Sequence, residues 1–230
     1  MSGYSFVTSM SLKGYEDYGR NFIESFDKHC SLPLYLWSED DLPVPAARLQ
    51  SIPDWVEFQN YPKDPPDWKY QAKRFSHKVF PATLPLDYAW WIWLDADVEV
   101  FGDIDEEFLS RVCPEEATLS YLGRKDWRTS ECGWVAYNLN NGGRKFLDRF
   151  REIYTSGEIF DHLEWHDSYI FDRVMEELPG TYHNLSEGIE GMHPWDESPL
   201  GEKMKHFKGP LRKQGKSLDH LPEQYRSAQE

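Results

Sequence analysis

The amino-acid sequence predicts a single α/β domain in which a mixed, mainly parallel central sheet is flanked by helices. Three observations favour this fold class. The chain opens with a strand, a helix and a second strand; an unbroken apolar run lies near its middle; and strand and helix patterns follow one another after that run. The length of 230 residues suits one hydrophobic core better than two.

The first elements are the opening units of a parallel sheet. "YSFVTSM", residues 4 to 10, predicts a short buried strand. The next segment carries aromatic side chains at helical spacing: Tyr15, Tyr18, Phe22 and Phe26. "PLYLWSEDDLP" predicts a second strand over residues 34 to 37, which acidic and proline residues end. This order of elements indicates parallel strands joined by a helix.

A loop and a helix come next. The proline-rich "YPKDPPDWKY" predicts a surface loop. "QAKRFSHKVFPATL" predicts a helix that breaks near Pro81, and Arg74 and Lys78 share one of its faces because they stand four positions apart.

The central strand is the apolar run over residues 88 to 94, whose lack of alternation indicates burial on both faces. "ATLSYLG" and "GWVAYNL" predict two further strands, and "GGRKFLDRFREIY" and "HDSYIFDRVMEEL" predict two helices. The last segment is polar, so we expect a domain over residues 1 to 215 and a tail over residues 216 to 230.

Composition excludes several classes of function. The net charge of -15 repels phosphate backbones and so disfavours duplex nucleic acid and anionic membranes as partners. The central apolar run is far shorter than the ~20 residues of a transmembrane helix, and the first residues lack a secretory leader pattern. Three widely spaced cysteines fit neither a disulfide framework nor a zinc site. We therefore expect a cytoplasmic location.

Asp95 and Asp97 directly follow the central strand. In open α/β sheets, ligands bind beyond the carboxyl ends of the strands. If the chain stays extended, both carboxylates project to the same side, where they repel unless a cation lies between them. Oxygen ligands of this kind favour Mg²⁺ or Mn²⁺, which keep positions open for phosphate oxygens. The alternative is that both acids end the strand and face solvent.

"KHFKGPLRKQGK", residues 205 to 216, is a basic segment in an acidic chain. His206 can complete a metal site through a ring nitrogen, and Gly209 lets the backbone approach a diphosphate closely. Three basic side chains can neutralise that diphosphate: Lys208, Arg212 and Lys213. The alternative is a solvated tail segment.

Together, "IWLDADVEVFGDI" and "HFKGPLRK" resemble the metal-dependent glycosyltransferases of the GT-A fold, most closely the retaining family 8 enzymes related to glycogenin and bacterial galactosyltransferases. The resemblance spans about residues 4 to 215 and implies a Rossmann-like GT-A domain. In that family, an Asp-x-Asp pair and the histidine of His-x-x-Gly-x-x-Lys-Pro-Trp hold Mn²⁺ on the diphosphate of a UDP-sugar. The resemblance therefore implies Asp95, Asp97 and His206 as metal ligands.

The C-terminal motif matches the family in part. Gly209 agrees, whereas Arg212 stands at the lysine position and Lys213 with Gln214 replaces Pro-Trp. Arginine also binds phosphate, so the resemblance implies that Gly209, Arg212 and Lys213 contact the donor together with Asp95.

The resemblance implies further donor and catalytic residues. Lys78, 17 positions before the first aspartate, matches a basic residue of the family, with Arg74 as the alternative. "SECGWVAYNLNNGG" offers Glu131 or Asn138 as a partner for sugar hydroxyls, and "EWHDSYIFDRV" places Asp167 beside the transferred sugar. The alternatives are a solvated helix face for the basic residues and an interaction with the helix dipole for Asp167.

Tryptophan is abundant, with ten residues in the chain. Trp134 and Trp165 are candidates for stacking on sugar rings, although tryptophan more often belongs to a core. Gly133, beside the first of them, can serve packing alone.

The predicted function is Mn²⁺-dependent (or Mg²⁺-dependent) transfer of a sugar of the hexose type from a UDP-linked donor to an acceptor hydroxyl, with retention of anomeric configuration. The acceptor can be a glycan, a protein, a small molecule or a modified nucleic acid. Two alternatives stay open: a metal-dependent nucleotidyltransferase or phosphohydrolase, and a non-catalytic carbohydrate-binding protein.

Overall fold

A computed structural model describes residues 3–38, 41–44, 49–50, 63–125, 129–191 and 193–207. The strands of these residues are β1 (Tyr4–Met10), β2 (Leu34–Ser38), β3 (Leu49–Gln50), β4 (Trp90–Leu94), β5 (Val98–Val100), β6 (Leu119–Leu122), β7 (Glu131–Asn138), β8 (Tyr182–Asn184) and β9 (Met204–His206). Seven of them form one sheet in the order β3-β2-β1-β4-β7-β6-β8, and β5 pairs with β9 in a second, small sheet.

Only β7 runs against its neighbours in the main sheet. It is antiparallel to β4 and β6, whereas the described pairings of the other strands are parallel. The predicted mixed, mainly parallel sheet is therefore confirmed. The carboxyl ends of β1, β4 and β6 and the amino end of β7 consequently lie along one edge, where an open α/β sheet forms its crevice.

The helices of the described residues are α1 (Leu12–Gly14), α2 (Arg20–His29), α3 (Ala72–Ala82), α4 (Glu106–Val112), α5 (Gly143–Thr155) and α6 (Asp167–Glu177). A π turn, Tyr15–Gly19, joins the first two helices, and short 3-10 helices span Trp68–Tyr70, Glu158–Asp161 and Pro199–Glu202. None of the described helices has the length and apolar character needed to span a membrane.

The central strand β4 is buried along its whole length, as predicted. Trp90, Ile92 and Leu94 belong to the core on one face of the sheet, which includes side chains of α2. Trp91 and Trp93 belong to the core on the other face, under α3, α5 and α6. The strand starts two residues after the apolar run begins. Because alternate side chains enter two cores, the position of β4 is set from both sides.

Most predicted elements are present. Helix α3 ends at Ala82, one residue past Pro81, as the predicted break requires. Helices α5 and α6 and strands β6 and β7 lie where their patterns predict them. The sequence patterns do not predict β3, β5, β8, β9 or α4, because the strands have only two or three residues each and α4 has seven. Residues 208 to 230, with the expected domain boundary at residue 215, lie outside the described residues.

Candidate active site

A cleft of about 380 Å³ opens at the edge of the sheet where β1 and β4 end and β7 begins. Its lining includes side chains that follow β4, side chains of α3 and side chains at the start of α6, together with others from the end of β1 and the start of β7. Asp95 and Asp97 lie on this lining, so the paired acids are at the position that the sheet topology predicts.

The two aspartates are held by the ends of the strands around them. The backbone N–H of Asp95 donates to the carbonyl of Gly133 at 2.8 Å, and Trp93 Nε1 donates to Asp95 Oδ1 at 2.7 Å. Just beyond Asp97, Val98 is paired antiparallel with His206, and the N–H of Phe207 donates to the carbonyl of Asp97 at 2.9 Å. The small β5–β9 sheet thus carries His206 to the acids.

Asp95, Asp97 and His206 form one cluster in which one ligand atom from each residue lies within 4.8 Å of the others. His206 Nε2 is 3.1 Å from Asp97 Oδ1 and 3.6 Å from Asp95 Oδ2. Asp97 and His206 are almost fully buried. Two carboxylates and an imidazole, all aimed at one point, are a donor set that suits a divalent ion such as Mn²⁺.

Gly133 provides the space for the imidazole. A Cβ atom at this position would lie 2.5 Å from His206 Cε1 and 3.1 Å from the Trp195 ring. That ring packs against His206 with 4.7 Å between centroids. A glycine is therefore required at position 133 because a larger residue would displace the His206 ring.

Lys78 lies between two acids on the α3 side of the cleft. Its Nζ is 2.9 Å from Asp95 Oδ1 and 3.0 Å from Asp167 Oδ2, and it donates to the carbonyl of Cys132 at 2.5 Å. Burial acts to lower the pKa of Lys78, but the carboxylates of Asp167 and Asp95 outweigh it and hold that pKa above its ordinary value. The lysine is thus charged at neutral pH.

Asp167 begins α6, and it is buried. Burial acts to raise its pKa, but Lys78 and His166 outweigh it and hold the pKa of Asp167 below its ordinary value. The carboxylate is consequently ionised. It lies in the cleft as an acceptor for hydrogen bonds, across Lys78 from the metal-ligand cluster.

Glu131 also lines the cleft but is tied to its neighbours. One carboxylate oxygen is paired with Arg124, and the other accepts from the N–H of Gly133 at 3.2 Å. That second oxygen is 3.9 Å from Nδ1 of His206. Within the described residues, Nδ1 of His206 makes no hydrogen bond, so Glu131 is the carboxylate that faces the outer side of the imidazole.

Of the two candidates Arg74 and Asn138, only Arg74 is among the described residues that line the cleft. Arg74 is exposed and lines the cleft. Asn138 does not reach it: this residue pairs with Trp90 at the other end of β7, about 23 Å from Glu131 at ~3.3 Å per residue, and its amide donates to the carbonyl of Glu115. The strand carries Asn138 to the opposite edge of the sheet, so the structure does not bring it together with the other candidates that line the cleft.

The two tryptophan candidates for sugar stacking, Trp134 and Trp165, pack against other aromatic side chains. Trp134 is fully buried and packs on Phe6, while Trp165 packs between Tyr70 and Phe160. Neither is among the described residues that line the cleft. Trp68 is, with 51% of its surface exposed. Its place in a proline-rich polar loop was the sequence signal for exposure, because such a loop has few apolar neighbours to cover an indole.

The remaining candidates are Gly209, Arg212 and Lys213, together with Lys208. All four lie outside the described residues, so their proximity to the cleft stays a prediction. The last described residue of this segment is Phe207, next to His206 in the cluster.

No protein-family model and no curated relative matches the sequence. Glycosyltransferases are among the solved structures of similar fold. The galactosyltransferase LgtC, in complex with donor and acceptor sugar analogues, is similar with a TM-score of 0.53 and 11% identity over 97% of this chain and 99% of its own. Mouse xyloside xylosyltransferase 1 has a TM-score of 0.51 and 13% identity over 91% of this chain and 96% of its own.

The glycosyltransferase GlyE of Streptococcus pneumoniae TIGR4 has a TM-score of 0.58 and 14% identity over 91% of this chain. This chain spans 55% of the length of GlyE. These likenesses confirm the predicted fold class, the α/β fold of GT-A glycosyltransferases.

Proposed function

We propose that the protein is a metal-dependent glycosyltransferase that moves a sugar from a nucleotide-sugar, UDP-linked, to an acceptor hydroxyl. The observation that carries the proposal is the cluster of Asp95, Asp97 and His206 at the carboxyl end of the central strand. This cluster lies in a fold that the chain shares with solved glycosyltransferases.

In this proposal, Asp95, Asp97 and His206 hold Mn²⁺, or Mg²⁺, against the diphosphate of the donor. Such an ion supplies Lewis-acid stabilisation of the charge that grows on the departing diphosphate. The ammonium of Lys78 is 2.9 Å from Asp95 and is therefore well placed to share that charge. Arg212, Lys213 and the backbone at Gly209 are proposed to contact the diphosphate from the C-terminal segment.

The acids beside the cluster have different proposed roles. Asp167, kept ionised by Lys78, accepts a hydrogen bond from a hydroxyl of the transferred sugar or of the acceptor. Glu131 orients His206: metal-binding histidines commonly direct their second nitrogen to a carboxylate, and Glu131 is 3.9 Å from that nitrogen. Glu131 is thus proposed as a positioning residue, a change from the hydroxyl-binding role expected from the sequence.

Retention of anomeric configuration and membership of family 8 are part of the proposal. They rest on the "LDAD" and "HFKG" motifs and on the fold. The acceptor then attacks from the face that the diphosphate leaves, and no covalent protein nucleophile is needed. The cytoplasmic location is supported by three cysteines that are all unpaired and buried.

The decisive test is a thermal-shift screen of nucleotide-sugars with and without Mn²⁺, on the wild-type chain and on His206→Ala. A ligand that binds the native state raises the melting temperature. We expect a UDP-sugar to stabilise the wild type only with Mn²⁺, and His206→Ala to lose this effect while keeping its melting temperature without ligand. Stabilisation that is independent of Mn²⁺, or equal in both proteins, contradicts the proposal.

The released product separates the alternative reactions. A glycosyltransferase releases a nucleoside diphosphate, whereas a nucleotidyltransferase releases pyrophosphate and a phosphohydrolase releases phosphate. Release of pyrophosphate or phosphate instead of UDP would overturn the assignment while leaving the metal site intact.

A further inference from the structure

A half-exposed tryptophan, Trp68, lies on the wall of the cleft. Among the tryptophans whose surroundings the structure describes, it is the one with a large exposed surface. Indole is a large apolar group, and leaving half of it in water forgoes part of the stabilisation that burial provides. A ligand that covers the ring recovers that stabilisation.

The ring is held in place before any ligand binds. It packs on the imidazole of His166 with 4.8 Å between centroids, and Phe75 contacts it edge-on at 6.4 Å. Asp67 caps the short turn by accepting from the N–H of Lys69 at 3.1 Å. Binding to a ring already fixed in this way loses little conformational entropy.

A second loop fixes the turn from the other side. The N–H of Trp165 donates to the carbonyl of Lys69 at 2.7 Å, and Lys69 Nζ is 2.9 Å from Glu164 Oε1. Lys69 is next to Trp68 in the chain, and Glu164 is 2.9 Å from Nε2 of His166, the residue whose ring packs on the indole. They are hydrogen-bonding groups at defined positions beside an apolar surface.

The position of Trp68 suits the second substrate. From the metal-ligand cluster, contacts run from Asp95 to Lys78 and Asp167, and His166, the residue before Asp167, carries the indole. In the proposed function, on which this inference rests, the diphosphate binds at the cluster and the donor sugar lies beside Lys78 and Asp167. Along these contacts the next surface outward is Trp68, on which an acceptor can lie beside the donor sugar.

We infer that Trp68 is the binding platform for the acceptor, and that the acceptor presents a pyranose ring. One face of a pyranose carries C–H groups that stack on an aromatic ring, and its edge carries hydroxyls. The indole fits that face, while Arg74, which is exposed and lines the same cleft, can bind the hydroxyls. This charged neighbour favours a carbohydrate over a wholly apolar acceptor.

The test is saturation-transfer NMR with methyl β-D-glucopyranoside, methyl β-D-galactopyranoside and methyl β-D-xylopyranoside, measured with and without UDP and Mn²⁺. The variants are Trp68→Ala and Trp68→Phe. Leu163→Ala is the matched control, because Leu163 is 78% exposed next to Glu164 but is not among the described residues that line the cleft. The affinity of each protein for UDP with Mn²⁺ is measured in parallel by calorimetry.

We expect at least one pyranoside to bind the wild type, and Trp68→Ala to weaken it at least about tenfold. Trp68→Phe should restore most of the affinity because it keeps an aromatic face, and Leu163→Ala should match the wild type. The affinity for UDP should stay within about twofold in all variants. If Trp68 had a structural role instead, Trp68→Ala would lower the affinity for the pyranoside and for UDP together.

Four outcomes overturn the inference: no pyranoside binds, Trp68→Ala changes the affinity for neither ligand, Trp68→Ala weakens both ligands alike, or Trp68→Ala weakens UDP and not the pyranoside. The last outcome would assign the ring to the nucleoside half of the donor. Failure of UDP to bind any of the proteins with Mn²⁺ would instead contradict the proposed function, so the two failures are distinguishable.

Discussion

Two acidic corners of the cleft share Asp95 but differ in the third group that completes them. The metal corner consists of Asp95, Asp97 and His206, whose imidazole is neutral when it binds a metal. The lysine corner consists of Asp95, Asp167 and Lys78, whose ammonium stays charged. One corner thus contains its own cation, and the other is suited to receive one.

The two corners differ in how the charge of their carboxylates is compensated. A buried carboxylate is stable when a charged partner faces it, so the lysine corner is complete in the protein alone. In the metal corner, the carboxylates of Asp95 and Asp97 converge on His206, and an added divalent ion relieves the repulsion between the two carboxylates. Removing a charge should therefore have opposite effects on stability at the two corners.

Lys78→Met should have the largest effect on stability. It leaves the buried carboxylate of Asp167 and the half-buried carboxylate of Asp95 without the ammonium between them, and breaking a buried pair costs about 3–5 kcal/mol. The free energy of unfolding in urea, without metal, measures the loss. Lys73→Met, at an exposed position of the same helix, is the control.

The double variant Lys78→Met/Asp167→Asn sharpens this result. It removes one of the two stranded charges and should regain part of the lost stability. If Lys78→Met lowers the free energy of unfolding no more than Lys73→Met does, the ion pairs of Lys78 do not stabilise the folded protein.

Asp97→Asn tests the metal corner. Loss of a direct ligand should lower Mn²⁺ affinity by at least about 100-fold, since loss of an outer partner of a ligand already costs 10–100-fold. The melting temperature without metal should stay the same or rise, because one of two repelling charges is gone. Electron paramagnetic resonance of free Mn²⁺ measures the affinity.

The matched control for that variant is Asp87→Asn, an exposed acid outside the cleft lining. Equal Mn²⁺ affinities of Asp97→Asn and Asp87→Asn would remove Asp97 from the metal corner. A lower melting temperature without metal would show that Asp97 has a structural role like that of Asp167.

Gly133→Ala should weaken the metal corner without removing a ligand. The new Cβ atom would lie 2.5 Å from His206 Cε1, so the imidazole has to shift away from the acids. We expect Mn²⁺ affinity to fall about tenfold, in the range found when the support of a ligand is lost. Gly3→Ala is the control because its Cβ atom would have nothing within 4 Å; equal affinities of the two variants would show that His206 tolerates the added methyl group.

The smallest expected effect is a change in acid sensitivity. Burial acts to raise the pKa of Asp167, but Lys78 and His166 outweigh burial, so this pKa is lower in the folded protein than its ordinary value. Its contribution to stability is therefore present above the unfolded pKa near ~3.9 and is lost as pH falls through the folded pKa. In Asp167→Asn, stability should decline less steeply over this acid range than in the wild type.

Urea unfolding at a series of acid pH values measures that decline, with Asp161→Asn as an exposed control. Parallel curves for Asp167→Asn and the wild type would mean that the ion pair with Lys78 adds no pH-dependent stability.

The sequence by itself determined the parts of the molecule that depend on local pattern. An unbroken apolar run of seven residues is too short for a typical core helix and is typical of a strand buried on both faces, and β4 is one. Because ligands bind beyond such a strand, Asp95 and Asp97 could be assigned to the site from their position alone. Helices α3, α5 and α6 follow from side-chain periodicity in the same way.

The tertiary structure decided which distant groups meet. Asp97 and His206 are separated by 109 positions, and the strands that join them, β5 and β9, have three residues each, too few to leave a pattern in the sequence. Lys78 could be proposed from its spacing, but its bridging of Asp95 and Asp167 depends on how α3 packs against α6.

Burial was likewise decided by the whole fold. Trp134 and Trp68 have the same side chain, yet one is sealed in the core and the other lines the cleft. Asn138 and Glu131 belong to one strand, yet only Glu131 is at the edge where the cleft opens. Local sequence sets which conformation a segment adopts, whereas exposure and proximity depend on the packing of all segments together, and only the folded chain determines them.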